Sequence, residues 1–177
     1  APVSDVNATN QYGYNALIYA ARFGNEKSVE LILPESDAKA SDKDGCTALI
    51  YAAEYGTEKS VELLVPVSDA KATDKWGYTA LMQAAMKGNV KSMELLLPVS
   101  DINARDKHGK TALDYAKSSG NYQTVKLLQQ HILSNPFLNP ESSTGNSGQP
   151  SLVSPIIGLG LAAILSIFCV LLRINEL

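Results

Sequence analysis

Cysteine and histidine are scarce in this 177-residue chain, which has two of each. Cys46 and Cys169 stand far apart in the sequence, and neither His108 nor His131 has a cysteine or a paired acid at a metal-binding spacing. The sequence therefore predicts neither a disulfide framework nor a zinc site. A nucleophilic cysteine needs an adjacent base, and no histidine stands at a matching position near Cys46. We expect no catalytic residue and no bound metal.

An excess of charge of one sign is also missing. Fifteen Lys and Arg residues face 18 Asp and Glu residues, the net charge is -3, and no basic run is free of acids. Nucleic acid is therefore excluded as an expected partner, because its binding needs a basic patch or stripe. Neither GxxxxGK[ST] nor a GxGxxG between a strand and a helix is present, so we expect no cofactor and no small-molecule substrate.

The sequence does contain an internal repeat of 32 residues. Five columns recur at this period: Pro2, Pro34, Pro66 and Pro98; Asp5, Asp37, Asp69 and Asp101; Gly13, Gly45, Gly77 and Gly109; the Ala-Leu pairs that begin at Ala16, Ala48, Ala80 and Ala112; and Gly24, Gly56, Gly88 and Gly120. The period predicts four repeats, at roughly 5–36, 37–68, 69–100 and 101–133. We call these repeats one to four.

Each repeat is predicted to be a turn followed by two short helices. In repeat two the turn ends at Gly45, Thr47 suits the N-cap of the first helix, and Gly56 suits its C-cap. Thr57 is expected to cap the second helix, and Pro66 prevents its continuation. Helices of about three turns or fewer are unstable alone, so each repeat must pack against the next one. The prediction is an all-α solenoid.

The strings DGCTALIYAAEYG, WGYTALMQAAMKG and HGKTALDYAKSSG resemble the ankyrin pattern DxxGxTPLHxAAxxG, which is followed by VxLLL. The resemblance covers roughly residues 1–133 and implies an ankyrin-repeat domain that binds another protein. Alanine stands in place of the family's proline, the repeat is 32 rather than 33 residues, and a PxSD turn follows the second helix. The family's histidine is also absent, and its position holds Ile18, Ile50, Met82 or Asp114.

The two ends of the stack differ in polarity. Repeat four resembles a terminal cap, because Lys117 replaces the second alanine and the following stretch is polar as far as His131, where the stack is expected to end. Repeat one has no such polar signature, so we expect further repeats before Ala1.

The resemblance also implies where a partner binds, on a concave face made of turn tips and the exposed sides of the first helices. The corresponding positions are Tyr12, Tyr14, Arg22 and Phe23 in repeat one; Asp44, Cys46, Glu54 and Tyr55 in repeat two; Trp76, Tyr78, Met86 and Lys87 in repeat three; and His108, Lys110 and Ser118 in repeat four. Tyrosine, tryptophan and arginine are enriched among binding hot spots.

Within that set, the aromatic residues Tyr14, Phe23, Tyr55, Trp76 and Tyr78 are expected to form the adhesive centre. Arg22, Glu54, Lys87 and Lys110 are expected to form a polar rim around it. Two other recurring columns are predicted to be structural: the turn acids Asp42, Asp74 and Asp106, and the core tyrosines Tyr19, Tyr51 and Tyr115.

The composition changes after the repeats. Residues 134–155 are rich in Ser, Asn, Pro and Gly, which predicts a flexible, disordered linker. Residues 156–172 form an uncharged run of 17, close to the length that spans a bilayer, so we expect a single transmembrane helix followed by a short tail, 173–177. The expected arrangement is a tail-anchored, single-pass membrane protein with its repeats in the cytosol. Arg173 beyond the span favours the opposite orientation, and a cleaved GPI-attachment signal is a third interpretation.

The functional prediction is a membrane-anchored protein-protein interaction module or scaffold, which is not an enzyme. Its partners are another protein and, through 156–172, the lipid bilayer. The alternative is the non-catalytic C-terminal part of a larger enzyme, such as a kinase or acyltransferase, whose catalytic domain precedes residue 1. A soluble binding module is a further alternative and requires the apolar tail to be removed or masked.

Overall fold

The computed structural model describes residues 5–55 and 57–135, and within them the chain is helical. Eight α-helices and one short 3-10 helix, Leu33–Glu35, are present in these ranges, and no strand is. The helices are α1 Ala16–Arg22, α2 Glu26–Ile32, α3 Ala48–Tyr55, α4 Glu58–Leu64, α5 Ala80–Lys87, α6 Val90–Leu96, α7 Ala112–Ser118 and α8 Tyr122–Ser134. The predicted all-α fold of four helix pairs is confirmed.

The helices form two layers. The first helices of the repeats, α1, α3, α5 and α7, pack side by side in chain order, and the second helices, α2, α4, α6 and α8, do the same. Each first helix also packs on the second helix of its own repeat. Contacts therefore run between consecutive repeats, as stacking of modules that cannot bury their apolar faces alone requires.

Small alanines and leucines fill the space between the layers. The alanine pairs of α3 and α5 have no exposed surface, and neither have Leu49, Leu81 and their counterparts in the second helices, Leu64 and Leu96. Full burial of one leucine side chain is worth about 1.5–3 kcal/mol. At the family's histidine position, Ile18, Ile50 and Met82 are completely buried and extend this apolar core.

Side-chain caps begin most of the helices, and one predicted cap is wrong. Asn25, Asn89 and Asn121 accept a hydrogen bond from the first turn of their second helices. Thr57 occupies the N-cap position of α4, but its hydroxyl makes no cap bond. The reason is reach: with ψ near 93° the shorter threonine side chain misses the amides, whereas Thr79 caps α5 with ψ at 164°.

The predicted capping roles of other residues have different outcomes. Thr47 accepts a hydrogen bond from the amide of Ile50 at 3.3 Å, as a cap of α3 should. Gly88 ends α5 with φ of +71°, a left-handed conformation that glycine adopts without strain. Gly56, predicted to do the same for α3, lies outside the described residues.

Repeat one is the place where the core prediction fails. Tyr51 and Tyr115 are buried as predicted, with 4% and 9% exposure, but the equivalent Tyr19 is 53% exposed. Tyr51 and Tyr115 are covered by the repeat before them. Tyr19 lies on α1, the first helix in the described part of the chain, so no helix of a preceding repeat covers it there, and its ring lies against Phe23 with centroids 4.5 Å apart.

The last helix is longer than its counterparts. α8 has 13 residues, whereas α2, α4 and α6 have seven each. It continues past His131, the predicted end of the stack, to Ser134.

Within residues 5–55 and 57–135 no helix combines the length and the apolar character needed to cross a bilayer. Ser134, the first residue of the predicted linker 134–155, belongs to α8. Residues 136–155 of that linker, the predicted span 156–172 and the tail 173–177 lie outside the described residues.

Candidate protein-binding surface

The turn tips are fixed by buried acids. Asp42, Asp74 and Asp106 are 6–8% exposed. In each turn Oδ1 accepts hydrogen bonds from the amides two and four residues later, at 2.8–2.9 Å. Asn10 holds the first turn in the same way. These bonds support the predicted structural role of the recurring acids.

Neighbouring tips are joined through their backbones. The amide of Lys75 donates to the carbonyl of Asp44 at 2.7 Å, and the amide of Lys107 donates to the carbonyl of Trp76 at 3.0 Å. A similar bond links the first two tips. The tip side chains therefore stand in a row along one edge of the stack. We call the tips 10–14, 42–46, 74–78 and 106–110, together with the exposed sides of α1, α3, α5 and α7, the inner face.

The first junction of the inner face, between repeats one and two, is closed by a tyrosine pair. Tyr14 and Tyr51 meet edge to face, with centroids 5.9 Å apart. The Tyr51 hydroxyl donates to Oδ2 of Asp42 at 2.7 Å, so the 3.3 Å contact between the two hydroxyls has Tyr14 as its donor. Nη1 of Arg22 donates to both hydroxyls, at 2.9 and 3.0 Å.

Electrostatics at the first junction hold the tyrosine neutral and the arginine charged. Burial raises the pKa of Tyr51, and its hydrogen bonds with Tyr14 and Asp42 raise it further. Burial by itself lowers the pKa of Arg22, but the surrounding rings of Tyr55, Tyr14 and Tyr51 outweigh it, so the pKa lies above its ordinary value. The guanidinium carbon lies 5.0 Å from the Tyr51 ring centroid, a cation-π distance.

The third junction, between repeats three and four, has the same design. Tyr78 and Tyr115 meet edge to face at 5.6 Å, and the Tyr115 hydroxyl donates to Oδ2 of Asp106. Burial and this hydrogen bond raise the pKa of Tyr115. Nζ of Lys110 lies 5.5 Å from the Tyr115 ring centroid.

The middle junction, between repeats two and three, is open. At the two positions that hold tyrosines in the other junctions it has Cys46 and Gln83. The Cys46 side chain is much smaller than that of tyrosine and the Gln83 side chain has no ring, and a cleft of about 280 Å³ lies beside them. The cleft is lined by Arg22, Asp44, Cys46, Tyr51, Glu54, Tyr55, Asp74, Trp76, Tyr78 and Gln83.

The thiol in the cleft wall is unsuited to nucleophilic chemistry. Cys46 is 7% exposed. Burial, followed by the nearby charges of Asp42 and Asp74, raises its pKa to about 12. The thiolate, which is the reactive form, is therefore a negligible fraction at neutral pH.

Ion pairs cross the rim of the middle cleft from one repeat to the next. Lys75 contacts Asp44 at 2.7 Å, and its Nζ lies 4.3 Å from the Trp76 ring centroid. Lys87 contacts Glu54 at the longer distance of 3.8 Å. These side chains are partly exposed, so each pair is worth only about 0–1 kcal/mol.

Seven of the predicted site residues meet at the middle cleft: Arg22, Asp44, Cys46, Glu54, Tyr55, Trp76 and Tyr78. The other eight do not line this cleft: Tyr12, Tyr14, Phe23, Met86, Lys87, His108, Lys110 and Ser118. Tyr14 and Tyr78 are half-buried in the tyrosine pairs, and Cys46 is buried, so a partner on this face would touch little of the thiol. The role of these residues in binding stays a prediction.

The sequence interpretation missed three cleft residues. The sequence predicts a core position for Tyr51 and a turn position for Asp74, and both residues also line the cleft. Gln83 received no role, yet it is 8% exposed. Its signal was a polar side chain in a column that otherwise holds tyrosine. Within the part of the chain that the structure describes, no group of three or more His, Cys, Asp and Glu side chains could hold a metal ion.

The comparisons with known proteins agree with this geometry. A family model described as Ankyrin repeats (3 copies) matches residues 2–74 and 59–137, which together make up more than half of the chain. No curated protein matches the chain.

Proposed function

Because this chain belongs to the ankyrin-repeat family, whose repeats generally mediate contacts between proteins, we propose that its inner face binds a partner protein. The observation that carries the proposal is the group of exposed rings on the inner face, two of which lie beside the open middle junction. Tyr55 and Trp76 line the middle cleft and are 47% and 44% exposed. Phe23 lines a second cleft together with Tyr55 and is 64% exposed. Large apolar side chains grouped on one face are typical of interaction sites.

The rings supply the binding energy in this proposal, and the charges around them supply orientation. Burial of apolar surface is worth roughly 25 cal/mol per Å², and aromatic side chains at the centre of an interface form hot spots of about 2 kcal/mol or more. The tips that carry Trp76 and Tyr78 are held by Asp74 and by backbone bonds between tips. The surface is thus rigid before the partner arrives, which lowers the entropic cost of binding.

We propose that the repeats act without catalysis. The acids Asp42 and Asp106 are engaged by backbone amides and by a tyrosine hydroxyl. The pKa of the Cys46 thiol is about 12. These arrangements support structural roles for the groups that most often perform chemistry.

The test is a selection of binding peptides on the inner face. The full 177-residue chain, kept in a mild non-ionic detergent, is used to select phage-displayed random peptides, and the affinity of a selected peptide is measured by fluorescence anisotropy. Trp76→Ala should weaken binding by about thirtyfold, the effect of losing a hot spot of about 2 kcal/mol.

The matched control is Tyr122→Ala, which removes a ring that is 75% exposed on α8, in the other helix layer. It should leave the affinity unchanged. Equal losses for the two variants, or no loss for Trp76→Ala, would reject the inner face as the binding surface.

We also propose that residues 156–172 anchor the chain in a membrane as a single span, with the repeats on the cytosolic side. The support is the absence of charge over 17 consecutive residues. Alkaline carbonate extraction of membranes should leave the chain in the pellet, and protease added outside sealed vesicles should digest the repeats. Release by carbonate would argue against the anchor, and shielded repeats would argue against the orientation.

A further inference from the structure

The three junctions of the inner face are built from the same positions of the repeat, but the residues at the middle junction differ from those at the other two. At the first and third junctions a tyrosine hydroxyl closes on the turn acid, from Tyr51 to Asp42 and from Tyr115 to Asp106. At the middle junction the residue nine positions after the acid is Gln83, not a tyrosine. The carboxylate of Asp74 therefore lacks the phenol donor that its two counterparts have.

Two polar groups without a protein partner in the described part of the chain open into the middle cleft as a result. Oδ1 of Asp74 accepts from the amides of Trp76 and Tyr78, both at 2.9 Å. Among the described residues no hydrogen bond reaches Oδ2 of Asp74 or the amide of Gln83, although both residues are more than nine-tenths buried and line the cleft. Neither group is among the described side-chain atoms that are sealed from solvent without a partner, so both are reached through the cleft, and their oxygens can accept hydrogen bonds from a ligand that enters it.

We propose that the middle cleft receives a lysine side chain of the partner protein, whose ammonium donates to Oδ2 of Asp74 and to the amide oxygen of Gln83. The inference rests on the proposed function and specifies the partner's chemistry at the same surface. An ammonium has three donors and no acceptor, which suits these oxygens. The rings of Tyr55, Trp76 and Tyr78 line the same cleft and supply apolar surface for the methylene stem of the lysine.

The geometry of Asp74 favours lysine over arginine. A guanidinium binds a carboxylate best through two parallel bonds to both oxygens. Oδ1 already accepts two backbone amides, which leaves Oδ2 for a single contact. A compact ammonium needs only that one oxygen.

The other charges at the cleft are accounted for. Asp44 is paired with Lys75 at 2.7 Å, and Glu54 is paired loosely with Lys87 at 3.8 Å. Arg22 also lines the cleft, and its Nη1 donates to Tyr14 and Tyr51 at the first junction. Arg22 repels an incoming ammonium, so its removal should strengthen the binding of lysine and weaken the binding of an acidic ligand.

The first experiment changes the peptide and leaves the protein intact. Peptides selected on the full chain should share a lysine next to an apolar residue. Replacing that lysine by glutamine in a synthetic peptide should weaken binding about tenfold or more, as expected for the loss of hydrogen bonds to a charged group. Replacing it by arginine should also weaken binding.

The second experiment changes the protein. Gln83→Tyr gives the middle junction the side chain found at the other two, so its hydroxyl should close on Asp74, and the affinity for the lysine peptide should fall about tenfold or more. Thermal unfolding of this variant should be unchanged or shifted upward. Arg22→Gln should tighten binding, and the control Lys126→Gln, which removes an exposed cation on α8 in the other helix layer, should not change it.

The outcomes separate the inference from the proposed function. The lysine site would be overturned if the selected peptides lacked lysine or needed an acidic or phosphorylated residue. It would also be overturned if they bound Gln83→Tyr as tightly as the unchanged chain. Equal affinity for the arginine peptide, or weaker binding by Arg22→Gln, would do so too. If Trp76→Ala still weakened binding, only the lysine site would fail. If Trp76→Ala had no effect either, the proposed inner-face function would fail with it.

Discussion

The Tyr51 hydroxyl joins three side chains at the first junction, so Tyr51→Phe tests the account of that junction. The hydroxyl donates to Asp42 at 2.7 Å and lies within 3.0 Å of Arg22 and 3.3 Å of Tyr14. A hydrogen bond to a charged group is worth about 1.5–3 kcal/mol. Arg22 and Tyr14 are only half-buried and can turn to water, whereas Asp42 is 8% exposed. We therefore expect a loss of about 2 kcal/mol of unfolding free energy.

The assay is urea unfolding followed by circular dichroism. With a slope of about 2 kcal/mol per M, which is ordinary for a small domain, the midpoint should fall by about 1 M. Tyr19→Phe is the matched control: it makes the same chemical change in the same column, at a residue that is 53% exposed. It should stay within about 0.5 kcal/mol of the unchanged chain. Equal losses for the two variants would refute the reasoning.

Three further predictions concern a glycine, a cap and the thiol. Gly77→Ala places a Cβ 2.9 Å from Cα of Asp106 at a φ of +89°. At Gly109 the added Cβ meets no atom within 4 Å, so Gly109→Ala costs only the left-handed strain of about 1–2 kcal/mol. Thermal unfolding should therefore show a larger loss of stability for Gly77→Ala than for Gly109→Ala. Hydrogen bonds from the backbone and side chain of Thr111 lower the pKa of Asp114 in the capping box of α7. The ionised Asp114 therefore stabilises the fold fully above the ordinary carboxyl pKa of about 3.9, and this contribution is lost as pH falls through the lower pKa of the folded state. Asp114→Asn should cost about 1 kcal/mol at neutral pH, and urea titrations at acid pH should show the difference vanish; a constant difference would contradict the assignment. Burial and neighbouring acids raise the pKa of Cys46 to about 12, so iodoacetamide at mildly alkaline pH should leave Cys46 unmodified in the folded chain and alkylate it in urea, as mass spectrometry of the peptides would show.

The helices and their stacking could be predicted because the information is local and repeated. Each repeat carries its own turn glycine, its own Ala-Leu pair and its own second-helix leucines, and the nearest neighbour of each repeat is another copy of the same pattern. The burial of Leu49 and Leu81 follows from their column alone.

The rest depends on which residues face each other across a junction. Tyr19 and Tyr51 occupy the same column, yet one is exposed and the other is buried, because only Tyr51 has a tip residue, Tyr14, packed on it. The open cleft arises where Cys46 faces Gln83, two positions that are 37 residues apart and belong to different columns. Columns compared one at a time do not show such a pair.

Trp76 gives the most direct test of where a partner binds, because it is the one tryptophan in the chain and is 44% exposed beside the middle cleft. Its fluorescence can be recorded on the full chain with and without a saturating, tryptophan-free selected peptide. If the partner occupies the inner face, the emission should shift to shorter wavelength and acrylamide should quench it less. Unchanged emission and unchanged quenching at saturation would place the peptide elsewhere and contradict the account.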